Sequence, residues 1–177
     1  NLLKDPAADS SVPFRDIRED AWYADAAGRL AELGIINGYP DGTFGGGRTI
    51  TRAEFAAMAV RFAEAGVSET PSCSYRDVLK RGWAYEAIAS ATEYGWLQGY
   101  PDGTFRPEDD ITRAEVCTAV NRMLGRSADR AYIEKHSGEI RSFRDLSEAH
   151  WAYFDISEAV NVHDFSDAAG NEVWETR

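Results

Sequence analysis

The stretch GYPDGTF occurs twice in this chain, at residues 38–44 and again at residues 99–105, and ITRAE follows each copy. Identity over a whole stretch of this length is not a chance event in a chain of 177 residues. The offset of 61 positions that separates Gly38 from Gly99 and Thr51 from Thr112 also separates two earlier landmarks, Phe14 from Tyr75 and Trp22 from Trp83. The chain therefore contains a duplicated unit, and a repeat of this length predicts neighbouring supersecondary units that bury a shared core.

A third copy begins at FRDLSEAHWAYFDISEAV, in which Phe143 and Trp151 follow Tyr75 and Trp83 by 68 positions. This copy has neither GYPDG nor TRAE, and its similarity to the others ends after Phe165. We therefore predict one compact domain of four parts: repeat 1 (12–66), repeat 2 (73–126), a linker with a short helix (127–142), and a degenerate repeat 3 (143–177).

Hydrophobic spacing predicts a helix before and a helix after each GYPDGTF loop, so the predicted fold class is all-α. Gly34 and Gly95 follow the first helices, where a helix C-terminus favours a residue with positive φ. In repeat 2 the first helix places apolar residues along one face, namely Trp83, Ala87, Ile88, Ala91 and Tyr94.

The second helix of each repeat begins with a capping box. Thr51 precedes Glu54 by three residues, as Thr112 precedes Glu115, so each hydroxyl can accept from the Glu N–H while the carboxylate accepts from the Thr N–H. Each cap stabilises its helix by about 1 kcal/mol. The buried stripe predicted behind the caps consists of Phe55, Ala59 and Phe62 in repeat 1, and of Val116, Val120 and Met123 in repeat 2.

Charge and composition exclude several classes of partner. The chain has 19 Lys and Arg residues against 30 Asp and Glu residues, a formal net charge of −11, whereas nucleic-acid binding needs clustered cations. No apolar run approaches the roughly 18 residues of a membrane span, and NLLKDPAADS lacks the features of a signal peptide. Isolated Cys73 and Cys117, and a solitary His163, predict no disulfide framework, metal or cofactor. We expect neither nucleic-acid binding nor membrane insertion.

Arg52 and Arg113 occupy an unusual place for a cation, the first turn of a helix, where the helix dipole disfavours positive charge. Free N–H groups, the dipole and a guanidinium together attract an anion, and the arginine fork suits a carboxylate. The alternative is a structural ion pair with a neighbouring acid, such as Asp16 or Asp77. The residues alone leave both interpretations open.

The GYPDGTF loop also allows two interpretations. YPDG is a strong turn signal, because Pro presets φ, Asp bonds its own backbone and Gly accepts a conformation that other residues avoid. The aromatic residue that follows, Phe44 or Phe105, can enter the core. A structural role therefore explains much of the loop, but its complete identity in two repeats that differ elsewhere favours a binding role as well.

The order aromatic-x-Asp, Trp-Ala, Gly-Tyr-x-Asp-Gly-x-Phe and Ile-Thr-Arg-Ala-Glu resembles the S-layer homology family over nearly the whole chain. The resemblance implies a pseudo-threefold, all-helical arrangement in which the second helices form a central bundle and grooves open between repeats. It also implies a secreted module at the bacterial cell wall or S-layer surface, which attaches to the wall non-covalently and is covalently fused to a larger secreted protein.

The resemblance further implies a ligand, a secondary cell-wall polysaccharide whose pyruvate ketals present carboxylates. Arginines of the TRAE motifs would meet the carboxylate, the turns would offer backbone N–H groups, and tryptophans would pack on sugar faces. The implied ligand-binding residues are Arg52, Arg113, Gly38, Tyr39, Asp41, Gly99, Tyr100, Asp102, Trp83 and Trp151. Because repeat 3 lacks TRAE and the loop, we expect two competent sites at most.

Two other functions stay open: a self-assembling S-layer segment, and an accessory module of a glycan-cleaving enzyme. Acid pairs such as Asp109 with Asp110 could act as acid and base, but they do not recur between repeats, and the sequence has no recognisable nucleophile arrangement. A calcium site at Asp41 and Asp102 is disfavoured, because the loop lacks the alternating acids of an EF-hand. We therefore predict a non-catalytic module, in which Trp174 fills core left by the missing helix of repeat 3.

Overall fold

The computed structural model describes residues 13–63, 72–168 and 171–175. These residues form six helices: α1 (Ala24–Glu32), α2 (Arg52–Phe62), α3 (Tyr85–Glu93), α4 (Arg113–Met123), α5 (Arg130–Lys135) and α6 (Tyr153–Val160). An antiparallel hairpin of β1 (Asp164–Ala168) and β2 (Asn171–Glu175) follows. The predicted all-α class is confirmed in that most of the regular structure is helical, and the hairpin is an element that the sequence analysis did not predict.

Several sequence-based predictions fall outside the described residues. The ends of repeat 1 at residues 12 and 66, the end of repeat 3 at residue 177, and the segment 1–10 are among them. Within the described part of the chain, no helix has the length and apolar character that crossing a membrane requires.

The helix ends form as the sequence predicts. Thr51 and Thr112 each accept a hydrogen bond from the backbone N–H of the glutamate three residues later, and that carboxylate accepts from the threonine N–H. Gly34 and Gly95 follow α1 and α3 with φ of 69° and 72°, the left-handed conformation that ends a helix most easily with glycine. Local sequence therefore determines where these helices begin and end.

Each second helix packs against the first helix of the next repeat. α2 lies against α3, and α4 lies against α6. The largest buried cluster combines Phe55 of α2, Ile88 of α3 and Ala119 of α4 with Phe105 from the second GYPDGTF loop. The core therefore crosses the boundary between repeats 1 and 2, so neither repeat buries its apolar face alone. The full pseudo-threefold arrangement stays a prediction.

The predicted apolar stripes are wrong at their ends. Trp83 is 67% exposed, Tyr94 47% and Phe62 41%. Trp83 precedes α3 and Tyr94 follows it, so the helical spacing that placed them on the buried face does not extend to either residue. Phe62 is the last residue of α2. Phe55 and Ile88 of the α2 and α3 stripes are buried, whereas Val116, Val120 and Met123 of the α4 stripe are partly buried.

The hairpin fills the place after α6 where a second helix of repeat 3 would come. Trp174 of β2 is 5% exposed and packs with Ile133 of α5 and Tyr153 of α6. Its indole N–H donates to the carboxylate of Glu158 at 2.9 Å. Trp174 is thus buried as predicted, but on a strand.

We predict that Trp174→Ala lowers the free energy of unfolding by about 3–5 kcal/mol, because it removes a large buried side chain from a small cluster. Trp22→Ala is the matched control, since Trp22 is 93% exposed and should change stability by less than about 0.5 kcal/mol. Denaturant unfolding followed by circular dichroism measures both. A Trp174→Ala variant that unfolds like the parent would contradict this account of the hairpin.

Candidate functional site

Both GYPDGTF loops form the same hydrogen-bonded turn, although Gly38 has a φ of 65° and the equivalent Gly99 does not have a positive φ. In the first loop the Gly42 N–H donates to the Tyr39 carbonyl at 2.9 Å, and the Tyr39 N–H donates to the Thr43 carbonyl at 2.8 Å. Asp41 accepts from the backbone N–H of Thr43 at 3.0 Å and from its hydroxyl at 2.6 Å. The loop at 99–105 repeats each of these bonds. The shared letters therefore encode a shared turn.

An aspartate from the start of each repeat holds the loop from outside. Asp77 accepts from the backbone N–H groups of Phe105 and Arg106 at 2.8 and 2.7 Å, and Asp16 holds the first loop in the same way. The Phe44 N–H bond keeps the pKa of Asp16 below its usual value. Burial alone would raise the pKa of Asp77, but the two backbone donors outweigh it and lower that pKa. These carboxylates therefore serve the loops and are not the partners of Arg52.

Arg52 reaches from repeat 1 into the loop of repeat 2 and is only 2% exposed. Its Nε donates to the Phe105 carbonyl and its Nη2 to the Gln98 carbonyl, both at 2.8 Å, while Nη1 pairs with the Glu115 carboxylate. The guanidinium carbon lies 4.6 Å from the centre of the Phe105 ring and 5.0 Å from that of Tyr100. Arg52 thus forms the structural ion pair that the sequence left open, but with Glu115 and not with Asp16 or Asp77, and it fastens the second loop to the first repeat.

Glu115 therefore has two roles. It is the capping-box acid of α4, and it is the charge partner of Arg52. Burial would raise the pKa of Glu115, but hydrogen bonds from Thr112 and the positive charge of Arg52 outweigh that effect and lower it. The carboxylate stays ionised, which a buried arginine requires.

The first turns of α2 and α4 differ. At α2 the Arg52 N–H donates to the Asp109 carbonyl at 2.9 Å and the Ala53 N–H to the Pro107 carbonyl at 3.0 Å, so neither amide is free for an anion. At α4 Arg113 is exposed, and its guanidinium forms no hydrogen bond or ion pair with the described residues. Repeat 3 has no loop that could receive Arg113 as repeat 2 receives Arg52.

A groove of about 190 Å³ opens beside Arg52. Its volume is below the roughly 300 Å³ at which drug-sized ligand sites begin, so it suits a small part of a polymer. Side chains and backbone from all three repeats line it, among them Arg52, Gly99, Tyr100, Thr118, Arg122 and Trp151. Trp151 is 63% exposed and presents its indole to solvent. The structure thus brings together four of the residues predicted from sequence.

Some backbone groups that were expected to meet a ligand are bonded inside the protein. The Gly99 N–H donates to the Tyr75 hydroxyl at 3.0 Å, and the Tyr100 N–H donates to the Thr104 carbonyl at 2.7 Å. A Cβ at Gly99 would lie 2.2 Å from the Tyr75 ring. Glycine is needed there because the aromatic ring of the same repeat packs directly on the backbone.

The arginines that lie over the loop tyrosine differ between repeat 1 and repeat 2. Arg48 of the same repeat lies over the Tyr39 ring at 4.4 Å, whereas Tyr100 has Arg106 at 3.9 Å and Arg52 from repeat 1 at 5.0 Å. The turn after Gly38, including Asp41, has the same hydrogen bonds as the turn after Gly99, and Trp83 is exposed. The two loops are therefore alike in backbone and unlike in what surrounds them.

The sequence analysis missed Arg122, the exposed cation of the groove. Arg122 lies in the last turn of α4, with Nη1 at 3.4 and 3.5 Å from the carbonyls of Gly95 and Trp96. Arg61 takes the equivalent position in α2, with Nη1 at 3.4 Å from the Ile35 carbonyl. An arginine that recurs with the offset of the repeat was the available signal.

We predict that Arg52→Ala lowers the free energy of unfolding by about 3–5 kcal/mol, because it leaves Glu115 partly buried without its charge partner. Arg113→Ala removes the same residue of the same motif from an exposed position, and should change stability by less than about 0.5 kcal/mol. Thermal and denaturant unfolding of the two variants tests the difference, and equal losses would show that Arg52 does not join the repeats.

Because the pKa values of the loop aspartates are lowered on folding, we expect the folded chain to lose stability at acid pH. Hydrogen bonds from the Thr104 hydroxyl and N–H and from Arg106 lower the pKa of Asp102 from 3.8 to about 2. A carboxyl whose pKa is lowered on folding stabilises the fold above its unfolded pKa, and that contribution disappears as pH falls towards the folded pKa. Asp102→Asn should therefore lose less thermal stability than the parent between about pH 5 and pH 2.

Melting curves across that range make the comparison, with Asp25→Asn, an exposed change in α1, as the control. An Asp102→Asn profile with the same slope as the parent would contradict the role assigned to the loop.

Sequence comparison with known proteins identifies the family of this chain. The sequence model of the S-layer homology domain matches residues 13–56 and 74–117. A cellulosome-anchoring protein of Acetivibrio thermocellus is 36% identical over 93% of this chain and 36% of its own length. Cell surface glycoprotein 1 of the same organism is 32% identical over 89% of this chain and 7% of its own length. The chain thus spans about a third or less of these two relatives.

Enzyme names also occur among the relatives. Exoglucanase XynX of Acetivibrio thermocellus is 31% identical over 86% of this chain, but the match covers only 14% of that protein. Similarity confined to a small part of an enzyme, together with the anchoring and surface-layer names of other relatives, indicates a non-catalytic module. The chain carries two tandem S-layer homology domains and belongs to that family.

Proposed function

We propose that this module anchors a surface protein to the bacterial cell wall by binding a polysaccharide with pyruvate ketals, and that the groove beside Trp151 is its binding site. The observation that carries the proposal is the convergence of three repeats on one groove that contains an exposed arginine and an exposed indole. The names of relatives, a cellulosome-anchoring protein and several surface-layer proteins, support a module of secreted proteins at the cell wall.

Charge explains why the ligand should meet this groove. The chain carries a net charge of −11, so an anionic glycan is repelled except where cations are concentrated. Arg122 is exposed at the groove and offers a planar fork that suits a carboxylate. Arg52 lies behind the loop with its charge partner Glu115, where it holds the groove wall in place.

Trp151 supplies the apolar part of the site. An indole presents a large rigid face at little cost in conformational entropy, and a sugar ring has an apolar C–H face that can lie against it. Thr118 offers a hydroxyl nearby, although it donates to Asp155 at 2.9 Å in this structure. We infer that Arg122 binds the carboxylate while Trp151 supports the ring that carries it.

The remaining predicted positions form a second, less complete candidate. Gly38, Tyr39 and Asp41 give loop 1 the same turn as loop 2, and Trp83 is exposed in the next repeat as Trp151 is. Within the described residues, the arginine over the Tyr39 ring is Arg48 of the same repeat, and no arginine from another repeat lies there. We therefore propose the groove beside Trp151 as the principal site.

Calorimetric titration with a pyruvylated wall-sugar fragment tests the proposal. We expect Arg122→Ala and Trp151→Ala each to weaken binding more than about tenfold, or 1.4 kcal/mol. Arg61→Ala and Trp22→Ala are the matched controls from repeat 1 and should bind like the parent. Affinity should also fall as salt rises, because the contact with Arg122 is exposed and therefore screened.

The same titration with the pyruvate-free sugar shows whether the module recognises the pyruvate carboxylate or only the sugar itself. Equal affinity for both sugars would contradict recognition of the carboxylate. Equal losses in the control variants would contradict the choice of groove. If no sugar binds and the chain forms concentration-dependent oligomers in sedimentation, the lattice-forming alternative replaces wall binding.

A further inference from the structure

A second cluster of chemically capable side chains lies away from the groove, where the hairpin meets α6. Glu158 of α6, His163 and Glu172 of β2 have side-chain exposures of 0%, 5% and 7%. One ligand atom from each of the three lies within 4.8 Å of the others. The sequence analysis treated His163 as solitary, because its partners lie five and nine positions away on different elements.

The imidazole of His163 is oriented like that of a metal ligand. Its Nδ1 lies 3.0 Å from the carbonyl oxygen of Asn161, and since a carbonyl only accepts, Nδ1 carries the proton. Nε2 then faces Glu158 Oε1 and Glu172 Oε2, each at 3.4 Å. A histidine whose other ring N–H donates to a backbone carbonyl is the usual arrangement around protein-bound metals. Three electron-pair donors that face one point need a cation between them.

The spacing fits a small divalent cation. Ligands bound to Zn²⁺ at about 2.0–2.2 Å in a tetrahedron lie about 3.3 Å from one another. The two distances from Nε2 to the carboxylate oxygens are 3.4 Å. Two of the three ligand separations therefore already match a bound Zn²⁺ ion, and the third lies within 4.8 Å.

Trp174 fixes two of the three ligands. Its ring stacks on the His163 imidazole with centroids 3.8 Å apart, and its indole N–H donates to Glu158 Oε2 at 2.9 Å. The other carboxylate oxygen, Glu158 Oε1, is buried and lies 2.5 Å from Arg126 Nη2 and 3.4 Å from His163 Nε2. A metal ion that binds this oxygen would therefore displace Arg126.

The charge balance of the cluster favours a bound cation. Arg126 lies 2.5 Å from Glu158 Oε1 and is 31% exposed at its side chain. One arginine neutralises one of the two buried carboxylates, so with a neutral His163 the other carboxylate has no charge partner in the cluster, which is costly in a buried site. Because Arg126 borders solvent, its guanidinium can turn outward when a metal ion takes its place at Oε1.

We propose that Glu158, His163 and Glu172 bind a Zn²⁺ ion, with water as the fourth ligand. The ion would join β2 to the end of α6 and so stabilise the hairpin that replaces the second helix of repeat 3. This site is separate from the groove beside Trp151, so its failure would leave the proposed anchoring function unaffected.

Titration of the EDTA-treated chain with ZnCl₂ tests the proposal. We expect one equivalent to bind and the melting temperature to rise with Zn²⁺ concentration. Glu172→Gln and His163→Gln should each weaken Zn²⁺ binding by at least about a hundredfold, since even changes in residues that only support metal ligands weaken binding roughly 10- to 100-fold. His136→Ala removes a surface histidine that pairs with Glu139 and should bind Zn²⁺ like the parent.

Circular dichroism without metal shows whether each variant is folded. If neither substitution at the site folds, the visible absorption of Co²⁺ bound to the parent chain decides, because tetrahedral coordination that includes a histidine gives a characteristic spectrum. Absence of binding, or equal binding by folded Glu172→Gln and the parent, would overturn the proposal. If no Zn²⁺ binds, the positive charge between the two carboxylates is that of a protonated His163 and not that of a metal ion.

Discussion

The buried guanidinium of Arg52 is the interaction on which the arrangement of the repeats depends. A cation in the first turn of a helix is disfavoured by a few tenths of a kcal/mol, and a buried one is tolerated only when it is paired and hydrogen-bonded. Both needs are met by the second repeat, through two loop carbonyls, the carboxylate of Glu115 and two aromatic rings. The loop of one repeat is therefore built on the helix of the repeat before it, and the groove beside Trp151 follows from that placement.

The need for a loop that encloses the arginine also explains why equivalent positions in the repeats have different environments. Arg113 stands where Arg52 does, but the third repeat has no loop to enclose it, and Arg113 stays exposed. In the described residues a hairpin follows α6 where the first two repeats have a second helix. The hairpin places Trp174 against α5 and α6. Loss of the third loop thus changes both the core and the number of complete grooves.

The features that sequence predicted are those encoded within a few residues. Capping boxes at Thr51 and Thr112, the glycines after α1 and α3, and the turn in each loop depend on neighbours along the chain. The partner of Arg52 could not be predicted in this way, because Glu115 lies 63 positions away and meets it only through packing between repeats. The hairpin was missed for a related reason, since the resemblance to the first two repeats ended before it.

The residues of the candidate site could be predicted where they belong to motifs that recur between repeats. Gly99, Tyr100, Arg52 and Trp151 came from recurring motifs and from the family resemblance, and they line one groove. Arg122 also recurs, as the counterpart of Arg61. It was not singled out because the helix dipole favours an arginine near any helix C-terminus, so the residue did not by itself indicate a binding site. The cluster of Glu158, His163 and Glu172 has no counterpart in the other repeats, so only the folded structure could bring it to notice.

The central claim is that one groove, shaped by the contact of Arg52 with the second loop, binds the charged sugar of the wall. The most direct test follows the indole N–H signals of the tryptophans by nuclear magnetic resonance while a pyruvylated wall disaccharide is added. The account predicts that the signal of Trp151 shifts to saturation while that of the equivalent Trp22 does not move. Shifts at Trp22 equal to those at Trp151, or no shift at Trp151 while the sugar binds, would contradict it.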